Sequence, residues 1–305
     1  MKVALLAGGT GGAKLAAGMQ GLIGADLAVI ANTADDVEVH GLHVSPDPDL
    51  VTYWLAGEID EDRGWGIRDD TAVVSERLER LGAPGWFQLT DRDLATCLYR
   101  TRFIDEGGTL TAAQGQIAAA LGVTARVLPM SDGRVRTRVR TPAGWRGLQE
   151  FLILDGGEAP IEAVEVEGLD TAEPTAAVLT AIGEAELIVV GPSNPVISIG
   201  PILSLRGVRE AMTASPAPVI AVSPFVAGRA IKGPTEAFMA AVGRPVSAAG
   251  VASLYAGLLD AIVVDSGDPD PPPQDPRALV CPTLMDGEAG RRALAERVIA
   301  LAEEL

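Results

Sequence analysis

The chain is poor in aromatic residues, histidine, cysteine and positive charge. Its 305 residues include two His, two Cys and 4% aromatic side chains, with 24 Lys plus Arg against 41 Asp plus Glu. The resulting net charge of −17 repels nucleic acid and anionic membranes, so we expect neither as a partner. Cys97 and Cys281 lack metal-type spacing, which favours free thiols. No apolar run approaches the roughly 18 residues of a membrane span, and we expect a cytoplasmic protein.

Short apolar runs alternate with helical patterns along most of the chain. Residues 3–7 and 27–31 predict buried strands, with a helix over residues 14–23 between them. Continuous apolar strands separated by helices are typical of a parallel sheet covered on both faces. The same pattern returns in the second half, with strands predicted at 187–190, 219–222 and 262–264 and helices at 202–212, 236–242 and 248–258.

The middle of the chain has a different pattern. Residues 49–125 read as mainly helical, with Asp49 and Asp91 suited as helix N-caps. Residues 134–140 alternate charged and apolar side chains, which predicts an antiparallel strand or hairpin. We therefore predict one domain over residues 1–305, a Rossmann-like three-layer α/β core with a mostly parallel sheet and a helical insertion at about 49–125.

A glycine-rich turn joins the first strand to the first helix. Glycines let backbone N–H groups approach an anion, and the helix N-terminus adds unpaired donors and partial positive charge. The turn fits neither the dinucleotide pattern, because Lys14 replaces its last glycine, nor the P-loop, because Ala13 precedes Lys14. It predicts a phosphate or diphosphate ligand, and an ordinary strand-to-helix turn is the alternative. The predicted binding residues are Gly8, Gly9, Thr10, Gly11, Gly12 and Lys14.

Four aspartates, Asp35, Asp36, Asp47 and Asp49, follow the second predicted strand. Ligands of an open α/β sheet bind at the carboxyl ends of its strands, so these carboxylates should lie near the glycine-rich turn. They would repel a phosphate unless a hard cation lay between them, and Mg²⁺ prefers carboxylate and phosphate oxygens. The sequence therefore predicts Mg²⁺ as cofactor. Each aspartate taken alone also fits a turn or a helix cap.

Three further segments carry ligand-binding side chains. Trp65 lies in a charged loop of the kind that binds ligands, although packing in the core is an equal alternative. Ser193 and Asn194 follow a predicted strand, where they can donate to a phosphate or simply form a rigid turn. Lys232 follows a later strand and can pair with phosphate charge. His43 and His40 have no further soft ligands, which favours polar or structural contacts for both.

Taken together, these segments resemble the CofD family, the 2-phospho-L-lactate transferases of coenzyme F-420 biosynthesis. The resemblance implies that the terminal ribityl hydroxyl of the deazaflavin Fo attacks the acyl-side phosphorus of a guanosine diphospho-lactate or its enolpyruvyl analogue. GMP then leaves, and the enzyme is expected to be a homodimer. The resemblance is carried by residues 8–14, 32–36, 45–49, 63–71, 86–96, 129–132, 191–200, 209–210 and 223–224.

The resemblance also implies roles for individual residues. Mg²⁺ would be held by Asp36 and Asp35, and Asp36 and Asp49 are the candidate catalytic residues. The deazaflavin would contact Asp49 and Gln88, and the guanosine phosphate would lie beside the turn after the third predicted strand. The ligand-binding residues predicted beyond the glycine-rich turn are Ser193, Asn194, Gln88 and Trp65.

The chain departs from the family pattern at two positions and leaves two alternatives open. Thr90 and Cys97 stand where Gly and His are expected. One alternative is a CofD-like nucleotide-sugar-binding regulator, but that branch has a Gly-Gly-Ser-Ser-like run after Asp36, where this chain continues differently. The other is an NAD-dependent oxidoreductase, which the missing third glycine and the additional aspartates argue against. No residue chooses among lactyl, enolpyruvyl and glyceryl donors.

Overall fold

A computed structural model describes residues 1–305, and strands and helices alternate through it. The strands, in chain order, are β1 (Val3–Ala7), β2 (Leu27–Ala31), β3 (Val37–Val39), β4 (Leu42–Val44), β5 (Arg126–Pro129), β6 (Arg136–Thr141), β7 (Gly144–Gly147), β8 (Ala163–Glu167), β9 (Leu187–Val190), β10 (Val219–Val222), β11 (Phe225–Val226), β12 (Arg229–Ala230), β13 (Ala261–Asp265) and β14 (Arg277–Cys281). The helices are α1 (Gly9–Ile23), α2 (Pro46–Ala56), α3 (Val73–Arg80), α4 (Asp91–Asp105), α5 (Leu110–Ala120), α6 (Leu148–Ile153), α7 (Ala176–Gly183), α8 (Ile199–Ser204), α9 (Val208–Ala214), α10 (Thr235–Ala241), α11 (Ala248–Leu254) and α12 (Gly287–Ala302).

The central sheet contains seven strands in the order β14-β13-β10-β9-β1-β2-β5. Every neighbouring pair in it is parallel. From β1 the chain builds outward through β2 to β5, and it then returns to the other side of β1 with β9. The strand order therefore reverses between β1 and β9, and in open α/β sheets ligands bind in the crevice at such a reversal.

Helices cover both faces of this sheet. On one face Leu15 of α1 and Val51 of α2 pack with Leu5 of β1. On the other face Ile182 of α7 and Ile202 of α8 pack with neighbouring strand residues. Because both faces are covered, the strands are apolar and buried at every position of β1, β2 and β9, as the sequence predicted. The predicted three-layer α/β fold is confirmed.

Two segments are inserted into this pattern. Between β2 and β5 lie the β3–β4 hairpin, which precedes the range of about 49–125 predicted to be helical, and the helices α2 to α5, which correspond to that range. Between β5 and β9 lies an antiparallel sheet of order β7-β6-β8 together with α6. Helix α2 also packs along α1, so it connects the insertion to the core. No helix combines the length and apolar composition that a bilayer crossing requires.

Three details of the sequence interpretation were wrong. Asp49 and Asp91 are not N-caps: Ser45 and Thr90 hold those positions, because Pro46 fixes the first turn of α2 and α4 begins one residue after Thr90. The helix predicted over 202–212 is two helices, since Gly207 adopts a positive φ of 93° between α8 and α9. The third error concerns the glycine-rich turn and bears on the site.

Candidate functional site

The glycine-rich segment is the first turn of α1 rather than a loop in front of it. The helix begins at Gly9, and Gly8 is its extended N-cap. A Cβ atom at Gly11 would lie 2.1 Å from the carbonyl oxygen of Pro192, in the loop after β9. The Gly8 N–H donates to Ser193 Oγ over 3.1 Å. Glycine therefore lets the N-terminus of α1 lie directly against the loop after β9.

A cavity of 350 Å³ opens at this junction, and we call it the glycine-loop cavity. Asn194 shapes its edge, because its Oδ1 accepts hydrogen bonds from the N–H groups of Val196 and Ile197. Gly12 lies behind the lining, since a Cβ there would meet Ser193 Oγ at 2.6 Å. The residues that the sequence predicted and that line this cavity are Gly8, Gly9, Thr10, Gly11, Lys14, Asp35, Ser193 and Asn194.

Two buried carboxylates share one amide at the floor of this cavity. Asn32 Nδ2 donates to Asp35 Oδ1 over 2.9 Å and to Asp47 Oδ2 over 3.0 Å. Asp47 Oδ1 also accepts the N–H of Gly9 over 2.6 Å. Burial raises the pKa of Asp47 to about 6, against the effect of these hydrogen bonds. Burial, and next the charge of Asp47, raise the pKa of Asp35 well above its usual range.

Asp36 is buried beside this pair but lines neither of the cavities described here. Its Oδ2 lies 2.7 Å from His43 Nε2, and its Oδ1 accepts the hydroxyl of Ser45 over 2.8 Å. Its charge contributes to the raised pKa of both Asp35 and Asp47. His43 therefore makes the polar contact expected of it, and Asp36 belongs to the acidic cluster as a neighbour of the cavity floor.

The carboxylate cluster fits a divalent cation. Asp35 and Asp47 have neutral hydrogen-bond donors and no cationic side chain against them, so their shared burial is electrostatically costly. Mg²⁺ binds carboxylate oxygens together with phosphate oxygens. The glycines at the start of α1, whose N–H groups suit a phosphate, line the same cavity. Asp35 is the predicted ligand that lines the cavity, whereas the carboxylate oxygens of Asp36 contact His43 and Ser45.

Two lysines, Lys14 and Lys232, also line the glycine-loop cavity. Lys14 Nζ is 3.5 Å from the carbonyl oxygen of Met285 and 5.4 Å from the centre of the Trp54 ring. Burial, and next the charge of Lys14, lower the pKa of Lys232, so the two ammonium groups repel one another. A diphosphate would relieve this repulsion, and cations paired with phosphate make strong, charge-assisted hydrogen bonds.

A second cavity of 650 Å³ adjoins the first, and we call it the aromatic cavity. Its wall includes Trp86 and Phe87, whose rings meet edge to face with centroids 5.5 Å apart. Trp65 lines it from the loop after α2 and carries the Arg63 guanidinium 5.0 Å from its ring centre. Gln88 and Asp49, both predicted from the sequence, also line it. Such a wall suits a flat, conjugated ring system.

Ionisable groups beside the aromatic cavity are strongly perturbed. Asp49 forms an ion pair with Arg100, which is fully buried. Burial, and next the charge of Asp49, raise the pKa of Asp93 to about 7, and Tyr53 donates its hydroxyl to Asp93 over 2.8 Å. Burial raises the pKa of the Cys97 thiol, so this departure from the family pattern places a neutral, buried group beside the ion pair.

Only Asp47 and Gln149 line both cavities. Gln149 lies on α6, and its side-chain amide is half-buried and makes no hydrogen bond within the protein. Gln149 was not predicted from the sequence, because a single glutamine in a short helix forms no recognisable motif. It reaches the site only through the packing of the inserted antiparallel sheet. Asp47 was predicted only as one of the four aspartates. These two side chains mark the place where ligands of the two cavities would meet.

Known proteins of one family resemble this chain in sequence, and a solved structure resembles it in fold. Residues 3–290 match the family model described as 2-phospho-L-lactate transferase CofD. The phosphoenolpyruvate transferase of Streptomyces griseus is 39% identical, covering 100% of this chain and 99% of the relative. The 2-phospho-L-lactate transferase of Methanosarcina mazei is 39% identical over 87% of each chain. The solved structure of a UPF0052 family protein, BH3568 from Bacillus halodurans, has a TM-score of 0.65 at 16% identity over 98% of each chain, a likeness of fold.

Proposed function

Because the chain belongs to the family of 2-phospho-L-lactate transferase CofD, we propose that it transfers a phospho-lactyl or phospho-enolpyruvyl group to the deazaflavin Fo. The donor is a guanosine diphospho-acyl compound, the acceptor is the terminal ribityl hydroxyl, and GMP is released. The main structural support is that the glycine-loop cavity and the aromatic cavity adjoin one another at Asp47 and Gln149, which line both. We expect the reaction to serve coenzyme F-420 biosynthesis in a homodimeric, cytoplasmic enzyme.

The glycine-loop cavity suits the diphosphate of the donor. The N–H groups at the start of α1 supply uncharged donors, and Lys14 and Lys232 supply positive charge. Ser193 and Asn194 belong to the loop after β9 that lines the same cavity, and we infer that the guanosine side of the diphosphate lies along this loop. Phosphoryl transfer is largely positioning and charge stabilisation, so this arrangement provides most of what the reaction needs.

The aromatic cavity suits the acceptor. The fused ring of a deazaflavin would lie among Trp65, Trp86 and Phe87, while Asp49 and Gln88 offer polar contacts at its edge. The ribityl chain would then extend toward the junction of the cavities. This orientation brings the terminal hydroxyl to Asp47, and the acyl-side phosphorus would approach the same place from the glycine-loop cavity.

The reaction makes one bond and breaks one. The hydroxyl oxygen forms a bond to the acyl-side phosphorus, the bond from that phosphorus to the oxygen bridging to GMP breaks, and GMP leaves with the bonding electrons. The hydroxyl proton passes to Asp47, whose pKa of about 6 leaves it ionised at neutral pH but more basic than an ordinary aspartate. Gln149 can donate its free amide N–H to an oxygen of the transferred phosphate.

We propose Asp35 as the carboxylate that holds Mg²⁺, with Asp36 supporting it through its charge and its contacts with His43 and Ser45. The ion, when bound, would neutralise charge on the diphosphate and the leaving phosphate. On this basis Asp36→Asn should lower the apparent Mg²⁺ affinity while the protein remains folded.

The direct test is to incubate the protein with Fo, Mg²⁺ and each of three guanosine diphospho-acyl donors, lactyl, enolpyruvyl and glyceryl, and to measure GMP. We expect GMP that depends on Fo, with the best donor identifying the acyl group. Relatives of equal identity are named phosphoenolpyruvate transferase and 2-phospho-L-lactate transferase. Sequence similarity therefore does not choose the donor, and the GMP assay with the three donors does. Absence of GMP with every donor, together with tight binding of a UDP-sugar or NAD, would contradict the proposal.

A further inference from the structure

The loop between α2 and α3, residues 57–72, contacts both cavities. Its tip, residues 60–67, presents Trp65 and Gly66 to the aromatic cavity. On the other side the same tip is bonded to residues of the glycine-loop cavity. Thr10 Oγ1 donates to the carbonyl oxygen of Gly64 over 3.3 Å, and Lys232 Nζ donates to that of Arg63 over 2.9 Å.

The tip is internally braced, so a shift at one residue would move the others. The N–H of Gly64 donates to the carbonyl of Asp60 over 2.7 Å, and the N–H of Asp60 donates to the carbonyl of Gly66 over 3.0 Å. Arg63 joins Asp60 Oδ2 over 2.7 Å and the carbonyl of Ile67 over 3.1 Å, and its guanidinium lies on Trp65. Trp65 therefore lies against Arg63, whose carbonyl group accepts the hydrogen bond from Lys232.

Close approach is built into this contact. Gly64 has a φ of 72°, and a Cβ there would lie 1.8 Å from Lys232 Nζ. The positive φ favours glycine here, and a Cβ would displace the Lys232 ammonium group from its present position. A further link between Glu61 and Arg291 holds the tip to α12, away from the cavity.

We propose that this tip couples the two cavities, so that a diphosphate in the glycine-loop cavity increases the affinity of the aromatic cavity for its ligand. The inference rests on the proposed function. A phosphate bound beside Lys14 and Lys232 orders the Lys232 side chain, which has two N–H groups left after bonding to Arg63. Ordering Lys232 strengthens its hold on the tip and fixes Trp65 against an aromatic ligand. Coupling of binding free energies is reciprocal, so the aromatic ligand raises the affinity for the diphosphate by the same factor.

The test uses GDP, which cannot transfer an acyl phosphate, and Fo as the aromatic ligand. The dissociation constant of Fo is measured by equilibrium dialysis with Mg²⁺, in the absence of GDP and at GDP concentrations that saturate each variant. For the wild type we expect GDP to lower this constant by about fivefold or more, within the usual range of coupling between sites.

Lys232→Met removes the ammonium group that donates to the carbonyl of Arg63. Gly64→Ala displaces this ammonium group without removing any side chain of the glycine-loop cavity. Both should reduce the GDP effect on Fo to less than about twofold. Gly57→Ala is the matched control, because Gly57 has a φ of 69° in the same loop with nothing within 4 Å of a Cβ. It should retain the wild-type effect.

An Fo dissociation constant that GDP leaves unchanged or raises in the wild type would overturn the coupling. So would a wild-type GDP effect in both Lys232→Met and Gly64→Ala. Failure of the proposed function has a different result, since a protein that binds neither GDP nor Fo contradicts that function itself. Independent binding of both ligands contradicts the coupling alone.

Discussion

Asp47 is the residue on which the proposed chemistry depends most. It lines both cavities, accepts the N–H of Gly9 and has a pKa raised to about 6 by burial. The substitution Asp47→Asn keeps an oxygen that can accept the Gly9 N–H but removes the base. Loss of a general base lowers turnover by roughly 10²- to 10⁴-fold, and we expect this loss in kcat with GDP and Fo binding little changed.

The pH profile of the wild type supplies the second measurement for Asp47. A base with a pKa of about 6 is protonated below that pH, so kcat should fall as the pH drops through about 6 and level off above about 7. A flat profile between pH 5 and 8, or an Asp47→Asn variant with wild-type kcat, would remove Asp47 from the role of base.

Asp93 should make the stability of the protein pH-dependent. Its pKa is raised from 3.8 to about 7, so between these pH values the folded protein holds a proton that the unfolded chain has lost. The Asp93 contribution to stability is therefore full below about pH 4 and declines as the pH rises toward 7. Asp93→Asn should flatten this decline in urea unfolding measured from pH 4 to 7.5.

Asp170→Asn serves as the control for that series, because Asp170 is exposed and its side chain makes no hydrogen bond. It should keep the wild-type dependence of the unfolding free energy on pH. An Asp93→Asn variant with the same dependence as Asp170→Asn would contradict the assignment.

The sequence predicted the strands but not the meeting point of the cavities. Runs such as Val3–Ala7 are apolar at every position because both faces of the sheet are covered, and that signal is local. The glycines and Ser193 were predicted because each directly follows a strand. Gln149 was missed because its place depends on how the inserted sheet packs. Asp49 was taken for a helix cap and instead pairs with Arg100, 51 residues further along the chain.

At the level of elements, the contact between α1 and the loop after β9 organises the glycine-loop cavity. Gly11→Ala would place a Cβ 2.1 Å from the carbonyl oxygen of Pro192, so the helix must move away. We expect a loss of about 1–3 kcal/mol in unfolding free energy, the usual cost of overpacking, and weaker GDP binding.

Gly21→Ala is the matched control on the same helix. Gly21 is exposed, and a Cβ there meets nothing within 4 Å, so the substitution should stabilise the protein by about 0.5–1 kcal/mol through helix propensity. Chemical unfolding and GDP titration of both variants check the prediction. Equal stability of Gly11→Ala and Gly21→Ala would contradict the close packing of α1 on this loop.

The ion pair of Asp49 and Arg100 joins α2 to α4 in the buried part of the insertion. Asp49→Asn leaves a fully buried guanidinium without its negatively charged partner, and breaking a buried ion pair in this way costs about 3–5 kcal/mol. The double variant Asp49→Asn with Arg100→Met should be less destabilised than the sum of the single variants, because the pair is removed together. Urea unfolding measures both effects. If Asp49→Asn loses activity at wild-type stability, Asp49 acts on the substrate and not mainly on the fold.

At the level of the whole molecule, the reversal of strand order between β1 and β9 places two loops at one crevice, and the insertions add the second cavity. The core supplies the N–H groups and lysines of the glycine-loop cavity. The insertions supply Asp47 on α2 together with Trp86, Phe87 and Gln149. Division of the site between core and insertions gives the chain two adjoining cavities of different chemistry, one lined by N–H groups and lysines and one lined by aromatic rings.

We propose above all that these two cavities bring a diphospho-acyl donor and a deazaflavin hydroxyl together. The most direct measurement is the stoichiometry of the products, GMP by chromatography and the acylphospho-deazaflavin phosphodiester by mass spectrometry, with and without Fo. We predict one GMP for each Fo converted and no GMP when Fo is absent. GMP formed at the same rate without Fo, or Fo recovered unchanged beside GMP, would contradict it.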